Sequence, residues 1–327
     1  MNVTKGLIRS WFRLGQRGTF FGVAIPELAK QRDDLMVVTA DLAQLSNLNR
    51  FAGQYPDKFL NVGIAEQNMI GVSAGLAMEG YLVYATTYAS FIAVRDLEHV
   101  RQHISNLSLN VKLVGTASGV VAARSGVAHW ASEDIAFMRA LPGMMVMSAA
   151  DSLEAYKMAV YSSQHKGPMY IRLNGAPNCP MVYDENYAFE PEKISIIQRG
   201  EDVVLIGTGL MVHEAQETAK ILAGSGISCT VANMHTIKPL DRETLRELCD
   251  SHKLIVTMEE HSVIGGMGSA VAEYKTTLDH APKQILIGFP DSFTKAGTPQ
   301  YIWEQFHITA PQVAEKVKRE LGGRHND

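Results

Sequence analysis

The sequence predicts an α/β protein of two domains, the first a parallel sheet with helices on both faces and the second a further α/β set. Two observations carry that reading. Short β-branched runs alternate with longer segments in which apolar residues recur every three or four positions, which is the rhythm of βαβ units. A Gly- and Pro-bearing stretch then breaks the rhythm before a second α/β set begins. At 327 residues the chain is also too long for most single cores, so two domains with full cores are the default.

In chain order, the N-terminus is free of acids until Glu27 and carries Lys5, Arg9, Arg13 and Arg17, the last three spaced by four. That spacing gives one helix face, a solvated or partner-facing basic stripe; the run is not Ser-rich and lacks a cleavage signature. Strands are expected at Leu35–Thr39, Leu82–Thr86, Val111–Gly115, Met144–Met147 and Met169–Arg172, with helical patterns such as Asp96–Ser105 and Ser152–Gln164 between them. Asn174–Asn186 holds Gly175, Pro177 and Pro180 and reads as irregular chain. A second set follows: strands at Asp202–Ile206, Ser228–Ala232 and Leu254–Met258, with helices after Val212 and Asp241. The expected division is a first domain over 1–180, a linker over 181–194 and a second domain over 195–327.

Composition excludes several classes. Thirty basic against 34 acidic side chains, a net charge of −4 with both signs scattered, offers no nucleic-acid surface. Cys179, Cys229 and Cys249 are odd in number and far apart. They point to a reducing, cytoplasmic setting rather than a disulfide framework or a zinc site. The apolar stretch Gly80–Val94, bounded by Glu79 and Arg95, is too short to span a bilayer and is expected to be buried in a soluble protein.

One carboxylate stands out. Asn61–Met69 reads Asn-Val-Gly-Ile-Ala-Glu-Gln-Asn-Met and runs on into an apolar, glycine-bearing segment, so Glu66 sits where a charge loses hydration. From these residues alone two readings stay open. Glu66 is a functional acid, or it is a helix-start acid favoured by the helix dipole.

Six motifs in order resemble one family over nearly the whole chain. Asn61–Met69, Thr87-Tyr-Ala-Ser-Phe91, Glu133-Asp-Ile-Ala, Arg139-Ala-Leu-Pro142, Ser148-Ala-Ala-Asp151 and Glu259-Glu-His-Ser-Val-Ile-Gly-Gly-Met-Gly-Ser-Ala-Val271 are similar to the C-terminal half of transketolases. More closely, the chain resembles the small subunit of split transketolases, in which two polypeptides share a thiamine diphosphate enzyme. The resemblance implies a thiamine diphosphate-binding fold: a pyrimidine-binding domain followed by a transketolase C-terminal domain.

It also implies residue roles. Glu66 would hydrogen-bond N1′ of the cofactor's aminopyrimidine and set the tautomer whose 4′-nitrogen takes the thiazolium C2 proton, a task for a group that shares a proton in a dry cleft. Phe91 would pack on the aminopyrimidine ring, with Ile64 and Val94 beside it. Val94 and Leu97 fall where transketolases often carry further aromatics. His129 would reach the sugar's hydroxyls and carbonyl, a place for a side chain that can give or take a proton near neutral pH. Its loop departs from the family's Gly-x-Asp-Gly-x-Thr-His-Gln: Arg124 or Ser125 stands where the Asp is usual, and Trp130 replaces Gln. Arg172 lies within a few residues of an arginine that binds substrate phosphate in transketolases and deoxyxylulose phosphate synthases, a structural ion pair being the equal reading. Arg95 is a further substrate candidate.

The family's metal and diphosphate motif, Gly-Asp-Gly followed by a downstream Asn, occurs nowhere in the chain. The resemblance therefore implies Mg2+ ligands on a partner, an N-terminal-half transketolase subunit, with no metal ligand here. The implied assembly is two large and two small subunits, transferring a two-carbon ketol unit from a ketose to an aldehyde. Rival readings are the beta subunit of a 2-oxo acid dehydrogenase, another specialised thiamine diphosphate enzyme, and a scaffold subunit without catalysis.

Overall fold

The computed structural model describes residues 3–322. Its strands in chain order are β1 (Leu35–Thr39), β2 (Phe59–Asn61), β3 (Leu82–Tyr88), β4 (Val111–Thr116), β5 (Met145–Ser148), β6 (Met169–Arg172), β7 (Ser195–Gln198), β8 (Val203–Gly207), β9 (Cys229–Asn233), β10 (Thr236–Lys238), β11 (Leu254–Ser262) and β12 (Lys283–Phe289). They form a seven-stranded sheet in the order β10-β5-β6-β4-β3-β1-β2 and a five-stranded sheet in the order β12-β11-β8-β9-β7. All pairings are parallel except β10 on β5 and β7 on β9.

Strands covered on both faces need side chains that fit a core whichever way they point, hence the near-continuous apolar runs. β4, β5, β6 and β8 are buried along their whole length. Each fully buried Val, Leu or Ile contributes about 1.5–3 kcal/mol. Trp11, Phe20, Phe21 and Tyr84 fill one side of the first sheet. The core on the other side runs without a break from Ile70 and Ile104 to Val204, Ile206 and Ile255 of the second sheet.

The expected strands form within about a residue or two of their expected ends, β11 running on to Ser262. The sequence pattern did not reveal β2, β7, β10 and β12. β2 and β10 are three residues each, too short to display a period of two. The expected helix over Asp96–Ser105 is irregular: wide i→i+5 turns at Phe91–Arg95 and Val100–Ser105 flank a short helical piece, Leu97–His99. Among the described residues, no helix is long and apolar enough to cross a membrane.

β10 changes the domain picture. It follows β9 in the second domain yet pairs with β5 of the first sheet, Thr236 opposite Met147 and Lys238 opposite Val146. The Lys238 ammonium extends the tie by donating to the carbonyls of Arg139 and Leu141.

A buried ion pair fastens the same junction. Arg172, at the end of β6, donates from Nε to Asp134 Oδ2 at 2.7 Å, and from Nη2 to the carbonyls of Ala131 at 3.0 Å and Glu260 at 2.9 Å. Both partners are almost completely enclosed. This corrects the substrate-phosphate expectation for Arg172: its guanidinium is committed to internal acceptors and does not face a surface. Nearby, Glu260 receives the Val120 amide and the Trp303 indole N–H. Gly119 lies against it with φ +63°, where an added Cβ would strike the carboxylate.

Because removal of Arg172 takes the counter-charge from the buried Asp134 and leaves the Ala131 and Glu260 carbonyls without that donor, Arg172→Met is expected to lower folding stability by about 3–5 kcal/mol. Urea unfolding measures it; a loss well under 1 kcal/mol would show that the pair does not hold the junction.

Candidate active site

The site grows from the C-terminal ends of β1, β2 and β3, where parallel sheets place ligand contacts. After β2 the chain turns sharply. The Asn61 side-chain carbonyl accepts from the amides of Asp41 and Gly63 at 2.9 and 3.0 Å, and Gly63 takes φ +78°, a left-handed conformation that glycine adopts freely. This turn delivers Glu66 to the first turn of the helix Glu66–Met78. There the unsatisfied N–H groups favour a negative charge. The helix-start reading and the functional reading therefore describe one position, and Glu66 is only 6% exposed.

Past β3, the wide turn Phe91–Arg95 packs against that helix; the Gln67 side-chain amide donates to the Arg95 carbonyl at 3.4 Å. The turn brings three groups to the carboxylate. Arg95 Nη1 donates to Glu66 Oε1 at 2.5 Å. The Arg95 guanidinium also lies over the Phe91 ring, 4.1 Å from its centroid, within cation–π range. Asp96, next in the chain, points inward: it is wholly buried and neither carboxylate oxygen has a partner. Burial, and then the charge of Glu66, push its carboxyl up to about 7.

His129 arrives from a separate loop, the short turns Ala123–Ser125 and Val127–His129 after β4. A bridge between Gly119 and Ala131 closes this loop. The imidazole lies 5.6 Å from the Phe91 ring and 6.0 Å from that of Tyr88, centroid to centroid, and its buried Nδ1 lacks a partner. Trp130, next in the chain, meets Phe293 of the second domain at 6.3 Å between ring centroids. Together, Phe91, Val94, Arg95, Val127, Trp130 and Phe293 line an open hollow of about 460 Å³.

Of the residues the sequence singled out, Glu66, Phe91, Arg95 and His129 meet in one place, with Val94 on the hollow's wall. Ile64 is on the turn just before Glu66 with its side chain outward, 80% exposed. Arg124 is exposed in the turn Ala123–Ser125, and Arg172 is inside the junction. Sequence reasoning missed Asp96 and Tyr88. A signal for Asp96 existed: Ile92 and Val100, four residues to either side, are both buried, which puts the acid on the inward stripe of the segment. The glycine-rich run 264–268 opens the helix Met267–Lys275, whose first amides, Met267 and Gly268, donate to Glu259 at 2.6 and 2.8 Å.

Comparison with known proteins places the chain in a family. Residues 17–176 match the transketolase pyrimidine-binding domain and residues 192–313 the transketolase C-terminal domain. The chain is 37% identical over 300 residues to the 6-deoxy-6-sulfo-D-fructose transketolase subunit of a Clostridium species, covering 92% of each. It is 34% identical over 284 residues to one of the subunits of the apulose-4-phosphate transketolase of Phocaeicola vulgatus, covering 86% of this chain and 90% of that one. Among solved structures, a split-gene transketolase described as an inactive beta4 tetramer superposes with a TM-score of 0.86 at 37% identity, covering 93% of this chain and 97% of that one. The chain thus belongs to the transketolase family, the thiamine diphosphate-dependent transferases, and matches subunits that carry its pyrimidine-binding and C-terminal domains.

Proposed function

We propose that this chain is the C-terminal subunit of a split transketolase that moves a two-carbon ketol unit from a ketose to an aldehyde, and that it works only with an N-terminal-half partner. The observation that carries the reading is the linkage of Glu66 and His129, from separate segments, through Phe91: the imidazole lies 5.6 Å from the Phe91 ring, and the Arg95 guanidinium that bonds Glu66 lies 4.1 Å from the same ring. The residues fit the pyrimidine half of thiamine diphosphate. A flat aromatic face, a nearly buried carboxylate beside it and an imidazole nitrogen without a partner are what a planar, proton-sharing heterocycle and a polyhydroxy substrate require. The other half does not fit this chain alone, since it lacks the Gly-Asp-Gly motif; Mg2+ and diphosphate ligands are assigned to the partner, in an α2β2 assembly. The three cysteines are free and buried, in keeping with a reducing, cytoplasmic setting.

When bound, thiamine diphosphate supplies the electron sink for breaking and making the carbon–carbon bond. The protein's work is orientation and proton control. Glu66 holds a proton at N1′ of the aminopyrimidine, Phe91 fixes the plane of that ring, and His129 orients the sugar and exchanges a proton with its oxygen atoms. Asp96 lies behind Glu66 as a second carboxylate whose ionisation that charge opposes. The relatives named for sulfonated and phosphorylated sugars make an anionic ketose the substrate class to try first. With Arg172 committed elsewhere, its anion would be met by other cations.

Mixed with a transketolase N-terminal-half chain, the protein is expected to transfer ketol units, and Glu66→Gln to lower the rate by at least about a hundredfold. The decisive readout is hydrogen–deuterium exchange at the cofactor's C2 by NMR: exchange that Glu66→Gln leaves unchanged refutes the role, and efficient transfer by this chain alone refutes the split. His129→Ala is expected to reduce kcat/KM for the sugar about 10²–10⁴-fold without altering C2 exchange; a variant that loses only cofactor affinity would contradict the sugar-facing role. Asp96 gives a pH signature. Its folded pKa lies above the unfolded value of 3.8, so the folded chain binds more protons between the two, and stability falls as pH rises from about 4 to about 7. Asp96→Asn is expected to remove about 2–4 kcal/mol of that fall, read from urea midpoints at pH 5 and pH 8. Parallel pH profiles for the two chains would contradict it.

A further inference from the structure

The Arg95 guanidinium is a planar group that donates a hydrogen bond to Glu66 Oε1 at 2.5 Å while lying 4.1 Å from the centroid of the Phe91 ring. Those are the two contacts the proposed function gives to the aminopyrimidine: a hydrogen bond to the acid and a stack on the aromatic face. From this geometry we infer that Arg95 is a built-in occupant of the aminopyrimidine subsite, which holds the site closed in the free chain and must swing out before the cofactor seats. The inference rests on the cofactor reading of Glu66 and Phe91 and adds a competitor for both.

Three features make the exchange physically sound. A nearly buried Glu66 carboxylate needs a counter-charge, and a flat cation supplies it where ammonium would not also stack. The Arg95 side chain is 47% exposed against 7% for that of Glu66, so the arginine can leave by a side-chain rotation into solvent while the acid stays fixed. Its main chain is meanwhile anchored, since its carbonyl accepts from Gln67. Ligand entry thus requires no movement of the turn Phe91–Arg95, only the exchange of a planar cation for a planar heterocycle whose N1′ shares a proton with Glu66. A side chain that fills the subsite in most molecules leaves only the remaining fraction competent to bind, and apparent affinity falls by that fraction.

The test uses the full chain alone and the free aminopyrimidine, 4-amino-5-hydroxymethyl-2-methylpyrimidine, titrated by ligand-observed NMR. Arg95→Met keeps the aliphatic stem but removes the donor and the charge; it is expected to bind the probe at least about tenfold more tightly than the native chain. The gain should vanish in Arg95→Met combined with Glu66→Gln. Arg95→Lys, which keeps the charge without the flat fork, should fall between and covers the case in which Arg95→Met does not fold. In the native chain, the Arg95 side-chain NH signals should lose their protection as the probe saturates. Equal or weaker binding by Arg95→Met, binding by neither chain, or Arg95 signals unchanged at saturation would each overturn the placeholder. None of these bears on C2 exchange in the assembled enzyme, which judges the cofactor reading separately.

Discussion

The contact between Arg172 and Asp134 decides how much of this molecule can be held in register. Arg172 closes β6, Asp134 opens the helix Asp134–Ala140, and the same guanidinium reaches the Ala131 carbonyl of the His129 loop and the Glu260 carbonyl of the second domain. One planar cation with several fixed donors thereby joins three stretches far apart in sequence, at 131–134, 172 and 260. Burying two charges is expensive in itself, and a pair of apolar residues could be as stable. What the pair adds is direction: its donors accept only one arrangement of the loop, so the imidazole at its end has a defined place relative to Phe91.

The site has the opposite character. At the hollow beside Phe91 and Arg95 stand side chains that water does not favour: Val94, Val127 and Phe293 are exposed, as is Ile64 on the turn before Glu66. Sequence pattern places such residues inside, yet in the free chain they form the rim of a hollow that Arg95 joins to the acid. On the proposed reading, the partner subunit covers this rim and the water-free cleft appears only on assembly. Enclosure matters because the interaction of Glu66 with a bound heterocycle strengthens as water is removed from between them.

Much of this was legible in the sequence, for identifiable reasons. Strands such as β4 and β8 are covered on both faces, so every residue in them reports burial and the run is easy to see. Glu66 was visible because a charge beside Ile64, Ala65 and Met69 contradicts its surroundings. Phe91 and His129 could be named only by resemblance, because a phenylalanine after a strand or a histidine in a loop carries no signal of its own. Arg172 shows the limit. A strand-end arginine serves a substrate anion or an internal carboxylate equally well, and Asp134, 38 residues earlier, becomes its partner only when the sheet forms. The Arg95 contact was hidden for a similar reason: a helical count sets the arginine beside Phe91, four residues back, but Glu66, 29 residues earlier, becomes its partner only when the sheet forms.

β10 carries a consequence for how such a chain can be divided. Three residues that follow the second domain's β9 complete the edge of the first domain's sheet, so neither module is whole without the other. A polypeptide ended at the linker would bare the N–H and C=O groups along β5, an open template for pairing with other chains. Enzymes of this architecture can be divided between genes ahead of the pyrimidine-binding module, but a boundary between that module and the C-terminal one would tear a sheet.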